Sequence, residues 1–331
     1  MKLSIFLFFH FLSYFHVSFS VPQQYTSIFN FGNSLSDTGN LLILNATGAP
    51  SGTPPLWHDL LWSPYGSFLG WTVDDRLPEA FGLPFLPPSL ARGQDFRQGA
   101  NFAVAGATAL DIEFFQRRGL GDVARVNESL GVQLRWFEEL KPFLCDSTRS
   151  CLCSVTSCKD YFSKSLFMVG EIGGNDYNVP LSVRRSLKEV RSYVLKVIQT
   201  ISMAIEVGFL KYRTDITAIR WVFIISHFGA EIDRRWGSGS GGARESIQWL
   251  LWVFLTLYES PDKENYDPRT GCLKKLDDLM RYHNRLLRRL LEQLQIKYPP
   301  LRFTYADYYG AAIRLARHPK RYGASIAGNK N

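Results

Sequence analysis

Residues 27–40, Ser-Ile-Phe-Asn-Phe-Gly-Asn-Ser-Leu-Ser-Asp-Thr-Gly-Asn, constrain this chain more than any other stretch. Ile28, Phe29 and Phe31 are residues of the kind that build a buried parallel strand. Gly32 then permits a sharp turn, and Ser34, Ser36, Asp37 and Gly39 follow at once. A serine placed where a strand gives way to a helix projects its hydroxyl above the sheet, with amide N–H groups of the helix start beside it. That geometry suits a nucleophile whose attack creates an oxyanion. The ordinary alternative is a strand followed by a capped helix, because Ser and Asp are common cap residues.

Two more stretches carry small residues in unusual density. Residues 99–108 read Gly-Ala-Asn-Phe-Ala-Val-Ala-Gly-Ala-Thr, a composition that lets a backbone come close to a ligand or packs as a tight turn. The short apolar strand predicted at residues 165–169 runs into Gly-Glu-Ile-Gly-Gly-Asn-Asp-Tyr at residues 170–177. Alone, Gly-Gly-Asn-Asp is a turn signal. At the carboxyl end of a strand, an asparagine also aims a side-chain N–H at a developing oxyanion.

Taken in this order, the three stretches resemble signature blocks of the plant GDSL esterase/lipase family, a branch of the SGNH hydrolases. The family's first block reads Phe-Gly-Asp-Ser-Leu-Ser-Asp-Thr-Gly-Asn, and this chain matches it except at Asn33, where the family has Asp. The resemblance implies that Ser34 is the catalytic nucleophile. It also implies that the Gly106 backbone N–H and the Asn175 side chain join the Ser34 N–H in an oxyanion hole. It implies a small-molecule ester or lipid substrate, and no metal or organic cofactor. The expected fold is α/β, a three-layer α/β/α sandwich of flavodoxin-like SGNH type with a mostly parallel sheet. Strands near Ser27, Ser165 and Leu301, with helices between them, agree with a doubly wound pattern. Asn33 exchanges a carboxylate for an amide beside the nucleophile and so alters the local charge.

The rest of the chain is organised around these blocks. Residues 1–20 read as a signal peptide: Lys2, a Phe- and Leu-rich core, then Ser18 and Ser20 before Val21. Residues 21–331 read as one domain with a non-family insert at 207–242, whose Gly/Ser-rich tail predicts loose packing. Apolar residues at helical spacing predict helices over residues 132–144, 187–206 and 273–296. No later span has the roughly 18 apolar residues a transmembrane helix needs, so stable membrane insertion is not expected. The formal charge of +8 is concentrated late, where Arg281, Arg285, Arg288 and Arg289 alternate with leucines. In a secreted chain this reads as a solvated helix face rather than a nucleic-acid site. The five cysteines, Cys145, Cys151, Cys153, Cys158 and Cys272, leave at least one outside any intramolecular pairing. No histidine or acidic cluster joins the three that crowd together, which argues against a zinc site.

A serine hydrolase needs a base to take the hydroxyl proton. In the family this base is a histidine in a late Asp-x-x-His block. The sequence has His58, His227, His283 and His318 after the signal, and the residues three places earlier are Pro55, Ile224, Met280 and Leu315. By the resemblance this block would align beyond Asn331, so the C-terminal part that carries it is expected to be missing here. The expected function is therefore a secreted ester hydrolase, impaired by lack of the Asp/His pair. The alternatives are an inactive ester- or lipid-binding remnant and a mis-spliced product of a GDSL esterase gene. Asn45-Ala46-Thr47 and Asn127-Glu128-Ser129 are glycosylation sequons. Secreted material should begin near Val21 and lose apparent mass on glycosidase treatment. An intact Met1 in N-terminal sequencing, or unchanged mobility, would contradict the two expectations respectively.

Overall fold

Five short runs of the chain become the strands of one parallel sheet in the computed structural model. It describes residues 25–48, 78–124, 127–145, 158–209, 220–224, 260–270, 272–318 and 321. The strands are β1 (Ser27–Phe31), β2 (Gly99–Asn101), β3 (Ser165–Val169), β4 (Arg220–Ile224) and β5 (Arg302–Ala306). Their order in space is β2-β1-β3-β4-β5, and every neighbouring pair is parallel. This is a doubly wound order. The chain leaves β1 in one direction to place β2 and returns to the other side to place β3. The carboxyl ends of β1 and β3 therefore flank the crevice where such sheets bind ligands. The expected α/β fold with a parallel sheet is what forms.

All five residues of β1 and of β3 are buried, as a strand covered on both faces requires. Side chains alternate between the faces. Phe29, Phe31, Phe167 and Val169 enter the larger core, with Phe102 stacked on Phe31 at 4.9 Å between ring centroids. Ile28, Leu166 and Met168 point the other way and meet Tyr25, Leu83 and Leu86.

Helices cover the larger core. They are α1 (Asn40–Gly48), α2 (Ile112–Gln116), α3 (Leu130–Cys145), α4 (Cys158–Ser163), α5 (Gly174–Ser182), α6 (Leu187–Met203), α7 (Lys274–Lys297) and α8 (Tyr308–Arg317). Ser186 caps α6 by accepting the Glu189 N–H at 3.2 Å. Val190, Tyr193, Val194, Val197, Ile198 and Ile201 form its buried stripe, spaced by three and four. On α7 the stripe includes Leu279, Met280, His283, Leu287, Leu290 and Leu294, and the charged residues stay on the solvent side. The long predicted helices thus fall where their periodicity places them. The one departure is that the last turn of residues 187–206 widens into a π-helix, Ala204–Phe209. No helix among the described residues is long and apolar enough to cross a membrane.

Two strands depart from expectation. β2 is only three residues long and lies inside the small-residue stretch that reads as a turn. β4 lies inside residues 207–242, for which no strand was expected; Arg220–Ile224 pair with β3 on one side and β5 on the other. The apolar Trp-Val-Phe-Ile run at 221–224 is itself a strand signal, outweighed in a composition reading by the Gly/Ser tail that follows it. Residues 225–242 lie outside the described residues, as do residues 1–20.

The close approach of β2 to β1 has a direct test. Gly99 has φ +126°, and a Cβ there would lie 1.9 Å from the Ile28 carbonyl oxygen. Gly99→Ala combines overpacking with a strained backbone and should cost about 3 kcal/mol. Thermal unfolding should then fall by about 4 °C in a chain of this length, whereas Gly93→Ala, at φ +72° but with nothing near its Cβ, should cost only about 1 kcal/mol.

Candidate active site

The site begins where β1 ends. Gly32 continues the strand by one residue, but its partner is a side chain. The Gly32 N–H donates to Gln133 Oε1 at 3.0 Å, and Gln133 Nε2 donates back to the Gly32 carbonyl at 2.9 Å. Gln133 comes from α3 and is fully buried, so its amide acts there as a one-residue strand. Asn33 ties the same turn to the end of β3. Its N–H donates to the Glu171 carbonyl at 3.1 Å, and its side-chain amide donates to the Glu171 carboxyl. Asn33 Oδ1 also accepts the Leu35 N–H at 3.1 Å. Ser34 lies between these anchored residues, partly buried.

Asp37 closes the turn. Its carboxyl accepts the N–H groups of Gly39, Asn40 and Leu41, and also that of Ala105 at 2.8 Å. The first three of these donors are the orphan amides at the start of α1. This changes the sequence-based picture. The helix starts at Asn40 rather than beside Ser34, and Asp37 already takes its leading N–H groups.

The small-residue loop at 103–110 is held at several points. The Val104 N–H donates to the Gly32 carbonyl at 3.2 Å, and the Ala105 N–H to Asp37. Asn175 Nδ2 donates to the Ala107 carbonyl at 2.9 Å. The Ala109 and Leu110 N–H groups donate to the Asp176 carboxyl at 2.8 and 2.9 Å. Asn101 Oδ1 accepts the Ala103 N–H, and Asn40 Nδ2 donates to the Asn101 and Ala103 carbonyls. Gly106 sits among these fixed residues with φ +89° and is partly exposed. The loops bearing Ser34, Gly106 and Asn175 are thus joined by direct hydrogen bonds. Asn175 keeps a second amide hydrogen beyond the one given to Ala107.

Burial dominates the electrostatics. Desolvation raises Asp37, against four backbone N–H donors that favour its charged form. It pushes Asp176 up to about 7, opposed by the N–H groups of Leu110 and Ala109. It pushes Glu171 up to about 8, with the Asn33 amide opposing and the Asp176 charge adding to the rise. Asn33 thereby presents a donor to Glu171, where an Asp would set a second carboxyl against it.

Of the histidines, His283 is fully buried on α7 with its Nδ1 2.7 Å from the Tyr177 hydroxyl. His318 is exposed just after α8. His58 and His227 lie outside the described residues. Sequence reasoning missed Gln133, Glu171 and Asp176. Asp176 was legible as part of the Gly-Gly-Asn-Asp turn. Nothing in the sequence links Gln133 to Gly32 across 101 residues.

Comparison with known proteins gives a consistent result. The sequence profile of the family described as GDSL-like Lipase/Acylhydrolase matches residues 28–323. One GDSL esterase/lipase from Arabidopsis thaliana is 36% identical over 306 residues, covering 91% of this chain and 70% of the relative. Another from the same plant is 38% identical over 311 residues, covering 91% and 74%. A sinapine esterase from Brassica napus is 33% identical over 314 residues, covering 91% and 70%.

The raised carboxyls set a pH dependence. Folding lifts Glu171 from 4.5 to about 8 and Asp176 from 3.8 to about 7. The folded chain therefore holds protons that the unfolded chain has released, and stability falls as pH rises through that window. Thermal unfolding should occur at a lower temperature at pH 8 than at pH 5. Glu171→Gln, which cannot ionise, should flatten the slope. A protein that becomes more stable from pH 5 to pH 8 would contradict the assignment.

Proposed function

The chain belongs to the GDSL-like lipase/acylhydrolase family, whose members hydrolyse ester bonds, and from that premise we propose the roles of its residues. Ser34 attacks the ester carbonyl and expels the alcohol, leaving an acyl-enzyme that water cleaves to the carboxylic acid and free serine. The Ser34 and Gly106 backbone N–H groups and the Asn175 side-chain amide hold the oxyanion. The observation that carries this reading is the clamping of the 103–110 loop. Asp37 fixes it next to the serine turn, and Asn175 and Asp176 fix its other end. Donors held this rigidly need little reorganisation when charge develops.

The proton from Ser34 has no evident acceptor among the described histidines. His283 is engaged with Tyr177 in the core, and His318 follows a helix on the surface. With neither of these two as its base, turnover is slow, and an ester-binding protein with a preserved site is the second reading that the same observation favours. We place the chain outside the cell, on the strength of its leader-like residues 1–20, its two sequons and the disulfide bond made by Cys158.

Hydrolysis of p-nitrophenyl acetate tests these roles. Against an ordinary turnover of about 10 s⁻¹, loss of the base should leave about 10⁻² s⁻¹ or less. Ser34→Ala should remove the enzymatic part of that rate, and Asn175→Ala should lower it about 10²-fold. A rate unchanged in Ser34→Ala would refute the nucleophile. A turnover near about 10 s⁻¹ that vanishes in Ser34→Ala would refute the impairment.

A further inference from the structure

Asn175, Asp176 and Tyr177 are each held by a hydrogen bond, and a single side chain lies beside both ends of the segment from Gly173 to Tyr177. Gly173 has φ +107°, and a Cβ there would lie 3.3 Å from His283 Cε1 and 2.9 Å from Val197 Cγ1. Asn175, in the middle, donates to Ala107, and Asp176 accepts from Ala109 and Leu110. Tyr177 closes the segment with its hydroxyl 2.7 Å from His283 Nδ1, the two rings meeting edge to face with centroids 5.7 Å apart. Tyr177 and His283 are both fully buried, and they come from elements 106 residues apart.

We propose that the Tyr177–His283 pair is a positioning element that sets the orientation of Asn175 from behind. Burying a phenol and an imidazole costs free energy unless they bond to each other, and a Phe–Leu pair would fill the same space without that cost. What the polar pair adds is direction. The hydroxyl fixes where the first turn of α5 sits relative to α7, and His283 packs under Gly173 so that the strand-to-helix turn cannot settle lower. Asn175 lies between the two fixed points. Its amide therefore keeps one hydrogen on Ala107 and the other toward the crevice. A small misplacement of such a donor costs rate without weakening binding. His283 thus acts on the reaction through Asn175, and it does so without touching substrate.

This inference rests on the reading of Asn175 as an oxyanion donor, so its test separates the two. Tyr177→Phe removes only the hydroxyl, and His283→Leu removes the bond while keeping bulk. His283→Asn places an amide near the Nδ1 position and can restore the bond. Tyr177→Phe and His283→Leu should each lower kcat for p-nitrophenyl acetate about 10-fold, with KM changed less than about 2-fold. His283→Asn should recover most of the rate, and the double variant should lose no more than either single one. Hydrogen exchange reads the same geometry whatever the turnover. In Tyr177→Phe the Ala109 and Leu110 amides should exchange about 10-fold faster, with the Phe29 and Val169 amides of the central strands unchanged. Unchanged kcat together with unchanged exchange in Tyr177→Phe would overturn the proposal. Uniformly faster exchange would also overturn it, because the pair would then be holding the fold as a whole. Full rate in Asn175→Ala would instead overturn the oxyanion reading, and the exchange result would still decide whether the pair positions the turn.

Discussion

Two buried carboxyls, Asp37 and Asp176, hold the site together by gripping one loop from opposite ends. Each sits next to a segment with a proposed chemical role, and each takes backbone N–H groups that would otherwise be unsatisfied in the interior. Between the residues they hold, the loop runs Gly106-Ala107-Thr108, small side chains that by themselves define little of its conformation. Hydrogen bonds from backbone N–H groups to a fixed carboxyl are directional and supply that definition. Remove either carboxyl, and the loop that carries Gly106 loses its tie to the serine turn or to the Asn175 turn.

The same grip explains why the molecule tolerates so much polarity near its centre. Asn30, Asn33, Asn40, Asn101, Gln133, Asp37, Glu171 and Asp176 are all buried within or beside the crevice. A polar group in the interior is costly unless bonded, and partners for these groups come chiefly from loop backbone. The amides of Gln133 and Asn40 substitute for strand and turn partners that the irregular loops lack. The cost is concentrated in Glu171 and Asp176, whose desolvation raises them toward neutrality. Asn33 moderates that cost by offering Glu171 a donor. The departure from the family's aspartate is therefore compatible with the turn in which it sits, and it changes how the pair titrates.

The apolar frame around this network is regular. β1 and β3 alternate their side chains between two cores, and α6 and α7 lay long apolar stripes on one of them. Such elements are legible from sequence because their periodicity is a local property: β1, β3 and the long helices follow directly from it. β2 escapes because three residues are too few to show a period. β4 escapes because its apolar run is embedded in a span whose overall composition is polar and glycine-rich.

The sequence by itself determined the α/β frame and the family, and it singled out the residues proposed for the chemistry, Ser34, Gly106 and Asn175. It could do so because strand and helix periods, small-residue blocks and their order are written along the chain. Only the tertiary structure decided how those residues are held. Asp37 caps α1 and thereby withdraws the helix amides from the serine. Gln133 completes β1 from another element, and His283 is committed to Tyr177 in the core. Each of these is a contact between groups far apart in sequence, made by a side chain whose type alone fits several roles. Which role it takes depends on which donor or acceptor the folded backbone leaves beside it.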